Sequence, residues 1–117
     1  MNFPCQAIGP EGDSVRGRIR DLSLTGLQLQ GDSHFIRTLH PNFKRADWRT
    51  PLKITVKFSL PTSRRVKVDI ALRCQLVYCQ RSAPSLYTVG CQYLEIDPTA
   101  QTAMEDYLRH FGVVKTD

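Results

Sequence analysis

The chain has 117 residues, of which 41% are hydrophobic and 23% are charged, a composition typical of one soluble globular domain with a single core. No apolar run approaches the roughly 20 residues of a membrane-spanning helix, and residues 1–8 lack the charged and apolar regions of a signal peptide. Sixteen basic and eleven acidic residues give a net charge of +5, which favours anionic partners. We therefore predict a cytoplasmic domain, or a piece cut from a larger protein.

Three strands are predicted at the start of the chain. Residues 3–8 form the first, residues 9–13 a hairpin loop of turn-forming residues, and residues 15–22 and 27–30 the next two. In the second strand, small or apolar residues alternate with basic ones. The small or apolar positions are Val15, Gly17 and Ile19, and the basic positions are Arg16, Arg18 and Arg20. This alternation predicts a row of arginines on the outer face of the strand.

A tight polar turn is predicted at residues 21–26, between the second and third strands. Asp21 and Ser23 are residue types that bond nearby backbone amides and hold turns, and Gly26 tolerates backbone conformations that other residues avoid. The arginine row therefore leads into a turn that carries a carboxylate and a hydroxyl group. By itself, this pattern fits a hairpin turn without a ligand as well as it fits a binding site.

The remainder of the chain completes an all-β pattern. Residues 31–51 are predicted to be a long irregular connection in which residues 34–39 can form a helical turn, and its aromatic residues are expected to pack on the domain. Further strands are predicted at residues 52–59, 66–78 and 86–96, with turns at 61–65 and 81–85. A helix is predicted at residues 98–111, with Asp97 as its N-cap and Pro98 at its first position. Six strands and one C-terminal α-helix predict a six-stranded antiparallel β-barrel.

Patterns typical of catalysis and of metal binding are missing from the sequence. Ser23 has no histidine near it in sequence, and no phosphate-binding loop, dinucleotide-binding glycine pattern or zinc-protease motif occurs. The four cysteines form no Cys-x-x-Cys pair and lie far from the histidines, so we expect reduced, mostly buried thiols; they are Cys5, Cys74, Cys79 and Cys91. We expect a protein that is not an enzyme and that needs no metal or cofactor. Because the basic residues are spread along the chain without an aromatic platform, we also expect no nucleic-acid partner.

The chain resembles the PilZ family in three features. They are the motif Asp21-x-Ser23-x-x-Gly26 between two strands, a last strand that includes residues 89–97, and a closing helix at residues 98–111. PilZ domains are bacterial receptor domains for cyclic di-GMP. The resemblance covers nearly the whole chain apart from residues 32–50, and it implies a single PilZ-like barrel domain over residues 1–117. It also implies that Asp21, Ser23 and Gly26 contact the guanine and phosphate groups of the dinucleotide.

The chain departs from the family at a second ligand motif, Arg-x-x-x-Arg, which lies upstream of the first strand. Residues 1–4 contain no arginine, while Arg16 and Arg20 have the right spacing but lie on the strand that leads into the turn. The arginines have been lost, or the chain begins after them, or the row on the strand substitutes for them.

The leading hypothesis is a signalling domain that binds cyclic di-GMP and transmits its level to a partner protein. The expected ligand-binding residues are Arg16, Arg18, Arg20, Asp21, Ser23 and Gly26. The alternative is a degenerate PilZ fold that binds no nucleotide and acts as a protein–protein interaction adaptor. Trp48, Tyr78 and Tyr93 are expected to pack in the core or at the barrel rim, with a partner surface as the alternative.

Overall fold

The computed structural model describes residues 3–40, 52–61 and 66–110. In this part of the chain, six antiparallel strands form a closed barrel in the order β1-β2-β3-β6-β5-β4. The strands are β1 (Phe3–Ile8), β2 (Ser14–Leu22), β3 (Gly26–Gly31), β4 (Lys53–Pro61), β5 (Lys67–Ala83) and β6 (Leu86–Glu95). The helices are α1 (Ser33–Leu39) and α2 (Pro98–His110). The predicted six-stranded antiparallel barrel with a C-terminal helix is therefore confirmed.

The barrel interior is filled by the apolar residues of each alternating strand. In β2, Val15 and Ile19 are buried while the three arginines are exposed, as the alternation predicted. In β4, every second residue from Ile54 to Leu60 is buried. Each large aliphatic side chain buried in this way stabilises the fold by roughly 1.5–3 kcal/mol. The apolar side chains of the described strands therefore fill the barrel interior.

Helix α1 closes one end of the barrel. Its N-cap is Asp32, whose Oδ1 accepts a hydrogen bond of 2.9 Å from the amide of Phe35. The Phe35 ring is fully buried and occupies the space beside Gly17 and Gly31. A Cβ on Gly17 would lie 2.9 Å from Cδ1 of this ring, so glycine is required there for the ring to enter the barrel.

Helix α2 closes the opposite end, near the start of β1. Asp97 Oδ1 accepts a hydrogen bond of 2.7 Å from the amide of Ala100, which confirms Asp97 as the N-cap. The buried face of the helix consists of Ala100, Ala103, Met104 and Tyr107. The Tyr107 ring packs edge-on against Phe3 with 5.2 Å between ring centroids. Both helices therefore cover the ends of the barrel and leave its outer wall accessible.

Two boundaries differ from the sequence prediction. The pairing of β5 with β6 continues to Ala83 opposite Leu86, so the turn predicted at residues 81–85 is reduced to residues 84–85. The first part of the predicted irregular connection is helix α1, while residues 41–51, with Phe43 and Trp48, lie outside the described residues. Within the described residues, no helix is both long enough and apolar enough to span a bilayer. The cytoplasmic location stays a prediction.

Candidate functional site

Two consecutive side chains at the end of β2 are exposed because of a β-bulge. Ile19 pairs with Leu29 and Asp21 pairs with Gln28, so Arg20 is an extra residue on β2. The bulge shifts the alternation by one position, which leaves Arg20 and Asp21 both exposed while Ile19 stays buried. A guanidinium group and a carboxylate are thereby brought to the same outer face of the barrel.

The turn after β2 is held together by the hydroxyl of Ser23. Ser23 Oγ accepts hydrogen bonds from the amides of Thr25 (3.2 Å) and Gly26 (3.1 Å), and it lies 3.0 Å from the Gly26 carbonyl oxygen, to which it donates. The amide of Ser23 donates to the same carbonyl at 2.9 Å. In this arrangement Ser23 shapes the turn, and the two amides that could reach a phosphate are already bonded to it.

Strand β6 fixes the same turn from the other side. The Tyr93 hydroxyl donates to the Ser23 carbonyl at 2.8 Å, and the Tyr93 amide donates to the Thr25 carbonyl at 3.1 Å. Burial raises the pKa of the Tyr93 hydroxyl, which therefore stays protonated and able to donate. A Cβ on Gly26 would overlap the carbonyl oxygen of Cys91, so glycine is needed where β3 approaches β6. The position of the turn is thus set by contacts on two strands.

A second β-bulge brings an aromatic ring to the outer face. Leu76 pairs with Cys91 and Tyr78 pairs with Gly90, so Val77 is an extra residue on β5. The Tyr78 side chain is 38% exposed, and its ring lies against Gly90. Because Gly90 has no side chain, the ring can occupy the space above the neighbouring strand.

The two bulges flank one cross-strand row, which we call the outer row. It consists of Asp21 on β2, Gln28 on β3, Gly90 on β6 and Tyr78 on β5, each paired with the next. Gln28 Nε2 donates a hydrogen bond to the Tyr78 hydroxyl across Gly90. Neighbouring members of such a row are about 5 Å apart, so a carboxylate, an amide and an aromatic ring lie within roughly 15 Å.

Arg18 belongs to the next row of the same wall. It pairs with Gln30, whose Nε2 donates to Thr88 Oγ1 at 3.1 Å, and the Ser82 hydroxyl lies 2.8 Å from the same oxygen. Arg18, Arg20 and Asp21 form no ion pair with any described residue. These charges are therefore available to a ligand.

Arg16 lies farther from the turn. It precedes Asp21 by five residues, which corresponds to roughly 15 Å along a strand, and it pairs with Gln6 of β1. The structure therefore places all three arginines and Asp21 on the outer face, and brings Arg18 and Arg20 nearest to the motif.

Sequence reasoning missed Gln28, Gly90 and Tyr78 as members of the surface. Tyr78 was expected to pack in the core or at the rim, but it lies on the outer wall because the Val77 bulge reverses the alternation. The four apolar residues from Leu76 to Cys79 interrupt a strict alternation, and this interruption is the signal that could have indicated a bulge.

The thiols lie apart from this surface. Cys5, Cys74 and Cys91 are buried, and Cys79 is partly buried. Burial raises the pKa of Cys5 to about 11 and that of Cys74 to about 12, so both are protonated thiols at neutral pH. Among the described residues, no group of three or more His, Cys, Asp or Glu side chains is placed to hold a metal ion.

The fold agrees with comparisons to known proteins. The profile of the PilZ domain matches residues 1–110. The apo structure of MrkH from K. pneumonia is similar, with a TM-score of 0.60 and 18% identity over 93% of this chain and 46% of MrkH. PlzA from Borreliella burgdorferi, solved in complex with c-di-GMP, has a TM-score of 0.50 and 14% identity over 97% of this chain and 48% of PlzA.

The chain thus spans about half the length of each of these two proteins, and at such identities the likeness shows the fold alone. No curated protein matches the chain. The profile match covers all six strands of the barrel, including the turn with Asp21, Ser23 and Gly26, and the helix that follows β6. This chain belongs to the PilZ domain family, a family of ligand-binding receptor domains.

Proposed function

We propose that this chain is a receptor domain that binds cyclic di-GMP on the outer wall of the barrel and transmits its level to a partner protein. The observation that carries the proposal is the bulge at Arg20, which presents Asp21 on the same face as Arg18 and Arg20. The c-di-GMP complex of PlzA, a protein of similar fold, supports the choice of ligand.

Each member of the surface has a chemical role in this proposal. A guanidinium group binds a phosphate, or the O6 and N7 atoms of guanine, through two parallel hydrogen bonds, and we assign this role to Arg18 and Arg20. The Asp21 carboxylate accepts hydrogen bonds from the N–H groups on the guanine edge. The exposed Tyr78 ring offers a face on which a base stacks, at a distance from Asp21 that one dinucleotide can bridge.

Ser23 and Gly26 contribute to binding by fixing the turn. The hydroxyl of Ser23 is occupied by the turn, and Gly26 is required by the approach of β6, so both residues determine where Asp21 lies. Arg16 is proposed as the outermost member of the site, with a smaller contribution because it lies farthest from Asp21.

The arginine row offers a replacement for the upstream arginine motif. Losing two charge-assisted contacts would cost on the order of 1.5–3 kcal/mol each, enough to turn micromolar binding into none. Arg18 and Arg20 supply two guanidinium groups that form no ion pair with the described residues, and they lie beside the turn. The proposal therefore does not require a further arginine pair before β1.

Isothermal titration calorimetry with cyclic di-GMP tests the proposal. We expect micromolar binding by the unmodified chain and affinity at least about tenfold lower for Asp21→Ala, Arg18→Ala and Arg20→Ala, because each removes a charge-assisted contact. The matched control is Lys53→Ala, which removes an exposed cation from β4, a strand that pairs with neither β2 nor β3.

No heat from the unmodified chain at high micromolar ligand would overturn nucleotide binding and favour the adaptor function. Binding that none of the three substitutions weakens would show that the ligand binds elsewhere on the domain.

A further inference from the structure

The barrel wall is incomplete along the seam between β1 and β4. These two strands pair only from Gln6 opposite Lys57 to Ile8 opposite Thr55. Both strands extend beyond this pairing, since β1 begins at Phe3 and β4 continues to Pro61. Where the pairing ends, a groove of about 820 Å³ lies along the seam.

The groove, which we call the seam groove, has a cationic rim and an apolar floor. Among the described residues that line it, the cations are Arg16, Lys57 and Lys67, and none is acidic. Apolar lining comes from Phe3, Pro4, Cys5, Val15, Phe58 and Pro61. The three cations form no ion pair with any described residue. Because its cations form no such pair, the rim attracts negative charge. Beside the groove, the Asp69 carboxylate accepts a hydrogen bond of 2.6 Å from the Ser59 hydroxyl.

The aromatic rings of the groove are not arranged to stack on bases. Phe58 is 6% exposed, and Phe3 packs edge-on against Tyr107. Single-stranded nucleic acid is held by bases that stack on exposed rings, so this groove lacks the feature that such binding needs. An extended peptide fits better, because its apolar side chains can pack on the accessible parts of Phe3, Pro4 and Pro61 while its acidic side chains reach the cationic rim.

Two prolines at the edges of the groove indicate which kind of contact an extended peptide can make there. Pro4 and Pro61 have no backbone N–H, and they lie on the two strands where these separate. Prolines on a sheet edge oppose the addition of another strand. Charged and apolar side-chain contacts, rather than a continued hydrogen-bond ladder, would therefore hold the peptide.

We propose that the seam groove binds an extended segment of a partner protein in which acidic and apolar residues alternate. In the barrel order, the β1–β4 seam lies opposite the β3–β6 pair that carries Gln28 and Gly90 of the outer row. The partner segment and a ligand on the outer row therefore lie on different walls, and Arg16 on β2 is the residue that the two proposed sites share. The proposal does not depend on cyclic di-GMP binding.

The test measures fluorescence anisotropy of a labelled twelve-residue peptide that alternates glutamate and valine, titrated with the full chain. We expect saturable binding, at least about tenfold weaker for the double substitution Lys57→Glu with Lys67→Glu. The matched control, Lys53→Glu with Arg73→Glu, reverses two exposed charges outside the groove and should change the affinity by less than about twofold. Circular dichroism checks that both variants remain folded.

Three results would overturn the proposal: no saturable binding of the acidic peptide, equal losses in the groove variant and the control variant, or tighter binding of an oligothymidine competitor. Nuclear magnetic resonance of backbone amides then locates the peptide. Shifts at Gln6 and Ser59 support the seam groove, whereas shifts confined to Gln28 and Gly90 would contradict it. Because the peptide is added without cyclic di-GMP, this outcome is independent of the nucleotide titration.

Discussion

Replacing Gly90 by alanine tests whether contact between β5 and β6 maintains the outer row. A Cβ at this position would lie 2.5 Å from Cδ1 and 2.6 Å from Cζ of Tyr78, closer than side chains approach. The ring is exposed enough to rotate into solvent, but it then loses the hydrogen bond from Gln28. We therefore expect the barrel to fold and the ring to leave its position over β6.

The expected change in the free energy of unfolding of Gly90→Ala is the sum of opposing contributions. A misplaced extra methyl group costs about 1–3 kcal/mol in a well-packed site, and this cost falls toward the lower end because the Tyr78 ring can move. The lost hydrogen bond adds about 0.5–1.5 kcal/mol, while replacing glycine within a strand recovers roughly 0.5–1 kcal/mol. The net loss in the free energy of unfolding is about 1 kcal/mol, which lowers Tm by about 3–5 °C for a domain of this size.

A double-mutant cycle identifies the cause. Urea unfolding should show the loss for Gly90→Ala in the unmodified chain, and little or no loss when Gly90→Ala is combined with Tyr78→Ala, because the ring is then gone. The cyclic di-GMP affinity should fall about tenfold for either single substitution if the base stacks on Tyr78. An equal loss of stability in both backgrounds would refute the reasoning, since the strain would then not come from the ring.

Ser23→Ala should lower the free energy of unfolding by about 1 kcal/mol in urea titrations, because the amides of the turn lose their acceptor, and Ser23→Thr should restore most of it. Burial lowers the pKa of His40, so the folded chain holds it neutral while the unfolded chain protonates it near pH 6.5. Stability should therefore fall as the pH drops through about 6.5, and a fall of the same size in His40→Gln would contradict this assignment. Ellman's reagent should label Cys79 first in the native protein and the remaining buried cysteines only on unfolding, and Cys79→Ser should abolish the first phase.

Local patterns in the sequence were sufficient to predict most of the barrel. The alternation in β2 correctly assigned the arginines to the outer face, and Asp97 followed by Pro98 correctly marked the start of α2. These features depend on neighbouring residues, which a single sequence displays directly.

The parts that sequence reasoning missed depend on pairing between distant strands. The sequence shows that the apolar residues Ile19 and Leu22 are three positions apart, whereas strict alternation would place them two apart. However, only the pairing of β2 with β3 identifies Arg20 as the extra residue. Likewise, no local pattern shows that β1 and β4 pair over just three positions. The composition of the outer row and the existence of the seam groove were therefore out of reach.

In the described part of the chain, α1 and α2 cover the two ends of the barrel, and apolar side chains fill the space between them. The proposed ligand would therefore bind at the surface and alter the charge and shape that the outer wall offers to another protein. Transmission of this kind requires no rearrangement of the core.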